Sequence, residues 1–283
     1  MTQAFDRRRT AARDDLAAAH LKGVVAAPRY VEGRSLRVID EAIALRARPE
    51  GDCGLETQVL FGEEVVVYDM DEGWAWGQAL ADGYVGYMAA DSLGAPLAAP
   101  THKVVVPRTF LYPADDMKQP ALGALPLGAQ VVARAVRGAF TQLASGLFVF
   151  SAHLAEIAAR QPDFVSVAEL FEGAPYLWGG KTWLGLDCSG LVQIALQACG
   201  VRAPRDTDMQ QAELGAALAP GAALARGDLV FWKGHVGIMQ DDARLLHASG
   251  HHMRVVSEAF VQARARIVAL TQGDVIAIRR LEI

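Results

Sequence analysis

The spacing of apolar residues shifts along the chain, and each shift marks a different kind of element. Residues 6 to 21 carry apolar and charged positions at helical spacing and predict a short amphipathic helix. From about Arg37 to Ser151 the pattern turns to short β-prone runs broken by Gly, Pro and Asp, which predicts strands joined by tight turns. Near Val165 it changes again. Ser166 followed by Glu169 has capping-box spacing and opens a helix at "SVAELFEG". "PYLWGGKTWLGLD" is a turn-rich approach, and Cys188 to Cys199 reads as a further helix, stopped by Gly200 with Pro204 beyond. The runs "GDLVFW", "HVGIM", "RLLHAS", "MRVVS" and "DVIAIRR" follow as strand candidates. A helix ahead of antiparallel-type strands predicts an α+β fold.

The β-rich stretch repeats itself at an offset of 66 residues. Leu45 matches Leu111, Gly62 matches Gly128, Val65 and Val66 match Val131 and Val132, and Trp74 matches Phe140. Two such copies predict two small β-barrels in tandem, with "GAPLAAP" (94 to 100) as the linker. The predicted layout is an N-terminal helix and lead-in over 1–30, barrels over 31–97 and 98–155, and a larger domain over 156–283. Trp74, Trp76 and Tyr87 read either as barrel core and surface aromatics or as ligand contacts.

A chain of 283 residues is long enough for this layout. Its 52% hydrophobic and 21% charged residues are globular proportions. A formal charge of −5 gives no footprint for nucleic acid or an anionic membrane, and the arginines of "FDRRRTAARDD" are offset at once by Asp14 and Asp15. Cys53, Cys188 and Cys199 fit no metal spacing, and an odd number argues against a disulfide framework, so neither a metal nor an organic cofactor is implied. No run of about 18 apolar residues is present, and the N-terminus shows no apolar stretch of signal-peptide length. The expectation is a soluble protein of a reducing compartment, the cytoplasm, with no nucleic-acid, membrane or protein partner.

The chemistry concentrates around Cys188. On the predicted helix, positions 188, 191, 192, 195 and 199 form one stripe, with Cys199 deep in it as a core residue. Cys188 stands at the first turn, where unpaired N–H groups and the helix dipole favour a thiolate, and Ser189 and Gly190 leave room beside it. A nucleophilic thiolate needs a base with an orienting partner. His20, His102 and His153 read as surface residues, and His251 and His252 fall in an exposed turn. His235 opens the strand "HVGIM", and His247 follows 12 residues later in "RLLHASG", where a strand return brings the two side by side. Each is a strand-end histidine, structural or catalytic.

Residues 166 to 283 resemble the catalytic domain of the NlpC/P60 family, papain-like cysteine peptidases that cut bacterial cell-wall peptides. The matching segments are "YLWGGKTWLGLDCSGLVQ", "RDTDMQ", "GDLVFW", "HVGIM" and "LLHASG", in the family's order, with the Asp-Cys-Ser-Gly motif intact. The resemblance implies Cys188 as nucleophile, His235 as base and His247 as the residue that orients it. It implies Tyr176 and the Cys188 amide as donors to the oxyanion. Asp187 and Ser189 are expected to bind polar groups of the substrate, or in the case of Asp187 to cap the helix. Trp178 is expected to line the site.

The stretch "GWAWGQALADGYVGYMAADSL" resembles bacterial SH3-like domains. Two such units ahead of the catalytic domain resemble the subgroup that hydrolyses the γ-D-glutamyl–diamino acid bond of peptides with a free N-terminal L-Ala, a step of cell-wall peptide recycling. In that subgroup the first SH3-like domain closes one end of the site and reads the amine. Tyr84 is expected to make that contact, with Tyr87 in the core. Glu56 is the expected acid, with Glu50 the other candidate. Asp206 and Thr207 of "RDTDMQ" are expected to face the ammonium and the D-Glu carboxylate, Thr207 replacing the family's more usual Ser. Other readings stay open: a general wall hydrolase or amidase with SH3-like anchors, an acyltransferase, or a non-catalytic binding protein on the same fold.

Overall fold

The computed structural model describes residues 5–95, 98–270 and 273–282. Pro96 and Leu97 of the predicted linker lie outside the described residues. The chain divides into two compact units, one up to Ile157 and one from Ala158 onward. Among the described residues no helix is long and apolar enough to cross a membrane.

The predicted helix over 6–21 does not form. Leu16, Ala17 and Ala18 are all fully buried, and a surface helix cannot bury three successive residues. The segment instead runs as turns. Ala17–Ala18 pairs in parallel with Tyr30–Val31, and a single 3-10 turn spans Ala19–Leu21. Its acid–base pairs, Arg8 with Asp6 and Arg13 with Asp15, lie two residues apart, which is not helical spacing.

The first unit then forms a seven-stranded antiparallel sheet. Its strands are β1 (Arg34–Val38), β2 (Ala42–Arg46), β3 (Leu55–Leu60), β4 (Glu64–Asp71), β5 (Trp74–Ala79), β6 (Val85–Ala89) and β7 (Leu93–Gly94). Their order is β3-β2-β6-β5-β4-β1-β7. Alternate residues such as Leu36, Val38, Leu45, Val65 and Met88 point inward to one core cluster. After it come β8 (His102–Val104), β9 (Arg108–Leu111), β10 (Gly123–Pro126), β11 (Gln130–Val131), β12 (Ala133–Arg137), β13 (Phe140–Leu143), β14 (Phe148–Phe150) and β15 (Leu154–Glu156). These make three small sheets, β11-β8-β15, β9-β10 and β12-β13-β14. The 66-residue repeat is visible in the backbone. Gly62 and Gly128 both take φ values near +80°, at +76° and +88°, and Trp74 and Phe140 both open a strand.

The second unit packs α1 (Phe164–Glu169), α2 (Cys188–Ala198) and α3 (Thr207–Glu213) with a six-stranded antiparallel sheet. The strands are β16 (Ala216–Ala217), β17 (Leu229–Trp232), β18 (His235–Met239), β19 (Arg244–Ser249), β20 (Arg254–Ala259) and β21 (Ala277–Arg280), with α4 (Phe260–Ala269) between the last two. Their order is β16-β21-β17-β18-β19-β20, the predicted α+β arrangement. Helix α1 is capped not by the expected box but by Asp163, whose carboxylate accepts from the Val165 and Ser166 amides. Glu169 is turned away to Arg226. Helix α2 stops as expected at Gly200, φ +78°.

Candidate active site

Helix α2 begins where a buried ion pair fixes the chain. Asp187 is its N-cap: one carboxylate oxygen accepts from the Gly190 amide at 2.7 Å, and the other from the Gly179 amide at 2.8 Å. Arg205 grips the same carboxylate with two parallel bonds of 2.9 and 2.7 Å. It also donates to Ser189 Oγ at 2.8 Å and to the Gly180 carbonyl at 3.3 Å. Asp187 and Ser189, expected to meet substrate, are therefore turned inward to this network. Gly190 is small for a related reason, since a Cβ there would lie 2.2 Å from the Gly180 carbonyl oxygen. Its hydrogen atom lets the first turn of α2 rest on the 177–186 loop, rather than making room beside Cys188.

Cys188 is buried, with Sγ 3.8 Å from Thr207 Oγ1 at the start of α3. The Val236 amide on β18 also points at the sulfur. The expected lowering of its pKa is reversed. Burial, then the Asp187 charge, pushes the thiol up to about 11, against the smaller opposing pulls of the Val236 amide, Thr207 and Arg205. The helix start and its unpaired amides favour a thiolate, but the burial of Cys188 outweighs them.

The two histidines meet as predicted. In the β18–β19 register Ile238 lies opposite Leu246, so one step further His247 faces Gly237, and His235 sits two residues along on the same face. His235 Nε2 is 2.7 Å from His247 Nδ1. His247 Nε2 in turn is 2.7 Å from Glu258 Oε1 on β20. Glu258 is two residues from Val256, the cross-strand partner of His247, and so shares its face. Arg266 on α4 closes the row with two bonds to the Glu258 carboxylate, 2.7 and 2.5 Å long.

This row fixes the tautomers. Burial alone would raise Glu258, but hydrogen bonds from Arg266 and His247 hold its carboxyl below the usual carboxylate range. An ionised carboxylate only accepts, so His247 Nε2 carries hydrogen and its Nδ1 is bare. That bare nitrogen accepts from His235 Nε2–H, which leaves His235 Nδ1 as the lone-pair nitrogen. Burial, followed by the cationic forms of His247 and Arg266, lowers the pKa of His235. The residue as a whole is only half-buried. Burial thus favours the neutral form of both the thiol and the imidazole. Helix α2 packs against β18, and the Val236 amide that points at the Cys188 sulfur is the residue next to His235, so a thiol and an imidazole of fixed tautomer stand on adjoining elements, the groups that nucleophilic acyl transfer requires.

Tyr176 stands half-buried across the loop, its amide bonded to the Met253 carbonyl at 2.9 Å. Burial and the charges of Cys188 and Asp187 push its phenol well above the ordinary range, so it stays a proton donor. Trp178 is 69% exposed on the same loop. Asp206 is the N-cap residue of α3, half-buried like Thr207. In the first unit the core assignment falls on Tyr84 and not on Tyr87. Tyr84 is buried in the barrel cluster, its hydroxyl 3.5 Å from Glu56 Oε2, whereas Tyr87 is part-exposed on the opposite face. Glu50 is exposed and paired with Arg48 at 3.1 Å. Arg205, Glu258 and Arg266 belong to the site without any sequence signal that singles them out. Arg205 alone stood inside a quoted motif. Among the described residues no cluster of His, Cys, Asp or Glu is placed to hold a metal ion.

Comparison with known proteins matches residues 45–93 to the bacterial dipeptidyl-peptidase SH3 domain and residues 173–272 to the NlpC/P60 family. A gamma-D-glutamyl-L-lysine dipeptidyl-peptidase of Bacillus subtilis is 31% identical over 230 residues, 69% of this chain and 72% of that protein. Its namesake from Bacillus cereus is 28% identical over 228 residues, covering 69% and 67%. A solved NlpC/P60 family protein from Bacillus cereus superposes with a TM-score of 0.73 over 87% of this chain and 99% of that one, at 20% identity, a likeness of fold.

Proposed function

This chain belongs to the NlpC/P60 family, peptidases of peptidoglycan-derived peptides, and we propose that it is a cysteine peptidase cutting the γ-D-glutamyl–diamino acid bond of peptides with a free N-terminal L-Ala. The observation that carries the reading is the row Glu258–His247–His235, which leaves a bare imidazole nitrogen on the strand packed against the helix of Cys188. In this scheme Cys188 Sγ attacks the γ-carbonyl carbon of D-Glu while His235 Nδ1 takes the thiol proton. Tyr176 and the Cys188 amide donate to the oxyanion. The tetrahedral adduct collapses as the diamino acid nitrogen leaves with the proton from His235. Water, deprotonated by His235, then hydrolyses the thioester and releases L-Ala–D-Glu. Thr207, beside the sulfur, donates to the D-Glu carboxylate, and Trp178 covers the open side.

The finer parts of the proposal concern substrate choice. Glu56, whose carboxylate the Tyr84 hydroxyl meets at 3.5 Å, is the first unit's acid for the L-Ala ammonium, and residues 98–155 form a second SH3-like unit related to the first by the 66-residue repeat. A cytoplasmic role in recycling peptides already released from the wall completes the reading. It is supported by Cys53, Cys188 and Cys199 all being free thiols.

The test is mass-spectrometric, with L-Ala–γ-D-Glu–L-Lys, the diaminopimelate equivalent and the N-acetylated form of each. Cleavage of the free-amine peptides alone is the expected result. Equal cleavage of the acetylated forms removes the amine-reading role of Glu56 and points to a general wall hydrolase, and no cleavage of any rejects the peptidase reading.

Glu258 is a positioning residue in this scheme, and Glu258→Gln tests it. An amide can present hydrogen to His247 Nε2 and release the tautomer order. The expected result is a fall in kcat of about 10- to 100-fold, by analogy with other supporting-shell losses, at nearly constant KM. The pH profile should change shape as well, which a merely structural loss would not produce. An unchanged kcat would remove Glu258 from the scheme.

A further inference from the structure

The first unit carries a groove that the peptidase reading does not use. It has a volume of about 450 Å³, in the range of small-ligand pockets, and opens beside the β4–β5 hairpin. Aromatic rings of Trp74, Trp76 and Tyr87 form its walls, and Asp14, Asp15, Asp69, Asp71 and Glu72 surround them against Arg13, the one cation among the described lining residues.

Arg13 shows what chemistry the groove accommodates. Its guanidinium lies 5.1 Å from the centre of the Trp76 ring and 5.8 Å from that of Tyr87, both within cation–π range. It pairs with Asp15 at 2.6 Å and with Asp69, and donates to Tyr87 Oη at 3.3 Å. Arg29 adds a bond of 3.3 Å to Asp15, and Arg7 one of 3.4 Å to Asp14. The inner half is thus a cage holding a cation supplied by the chain itself.

The outer half repeats the same ingredients without such an occupant. Trp74 is part-exposed, and Asp71, the last residue of β4, and Glu72, in the turn that follows, are both exposed. Glu72 and Gly73 both adopt positive φ, +46° and +82°, the two-residue turn that joins β4 to β5. Trp74 is the cross-strand partner of Asp71, so ring and carboxylate stand together at the mouth. An aromatic face flanked by two carboxylates attracts a cation by both its quadrupole and its charge.

We propose that this groove is a binding site for a cationic ligand group, a primary ammonium or guanidinium on an unbranched stem, seated on Trp74 between Asp71 and Glu72 beside the internally held Arg13. The stem lies along the indole and the charged head meets the carboxylates. The site is independent of the peptidase reading.

The experiment is a ligand-observed NMR titration of the full chain with N-α-acetyl-L-lysine methylamide, its arginine counterpart, and the lysine probe acetylated on its side-chain amine. Saturable binding of both cationic probes is expected, with at least tenfold weaker binding of the neutral one. Asp71→Asn with Glu72→Gln, and separately Trp74→Leu, should each weaken the cationic probes tenfold or more. All three residues are at least part-exposed, and an unchanged melting curve checks that the variants fold. Equal binding of the neutral probe, no binding of any, or full binding by the folded double variant would each overturn the proposal.

Discussion

Cys188→Ala is expected to abolish the proposed cleavage of L-Ala–γ-D-Glu–L-Lys while leaving the protein folded. In the proposed scheme the sulfur forms the bond to the acyl carbon, and Thr207 Oγ1, 3.8 Å from Sγ, is a hydroxyl far less nucleophilic than a thiolate. Loss of a nucleophile that acts with its base costs about 10⁴-fold or more in kcat. The folding cost is small, about 1 kcal/mol for one buried atom, against roughly 5–15 kcal/mol of stability for a typical domain. His235→Ala should fall almost as far, and the double variant no further than the single ones, because the two groups act as a unit. Cleavage by Cys188→Ala at more than about a hundredth of the wild-type rate would sink the assignment, since no removed nucleophile leaves so much.

What could be read in the sequence was set by local pattern. The strands from Leu229 to Ser249 and the helix from Cys188 are continuous apolar runs with clear stops, and His235 and His247 came with them because both sit within such runs. Glu258 and Arg266 were not legible, because a carboxylate on a half-exposed strand and an arginine on the next helix look like solvated surface until the β19–β20 register is known. The N-terminal segment failed for the opposite reason. Its composition allows a helix, and only the cluster of Tyr68, Trp76 and Val85 selects the turn that buries Leu16 and Ala18. Within "DGYVGYM" the core residue is Tyr84 and not the expected Tyr87 because facing depends on strand pairing: Tyr87 is opposite Trp76 and must share its face, while Tyr84 precedes the strand in a turn held by Asp82. The thiol shift failed because helix position is visible in a sequence and burial depth is not.

The second large effect is on stability. Arg205→Ala leaves the Asp187 carboxylate buried without its cation, a change that typically costs about 3–5 kcal/mol. The side chain of Arg205 is 1% exposed and that of Asp187 10%, so water cannot take over the lost bonds. A loss of that size should lower the melting temperature by roughly 10 °C or more for a unit of this length. Activity should fall with it, since the same carboxylate caps α2 below Cys188 and holds the Gly179 amide next to Trp178. Arg205→Lys should rescue little, because one ammonium cannot reach both carboxylate oxygens, Ser189 Oγ and the Gly180 carbonyl in a planar fork. Arg205→Met combined with Asp187→Asn should melt above Arg205→Ala, because no buried charge then remains and the Asn still accepts from the Gly190 amide. Calorimetry of the three variants decides it. An Arg205→Ala protein melting within about 2 °C of wild type would mean that the pair only replaces bonds water can make, and that the start of α2 is held by the Asp187 cap alone.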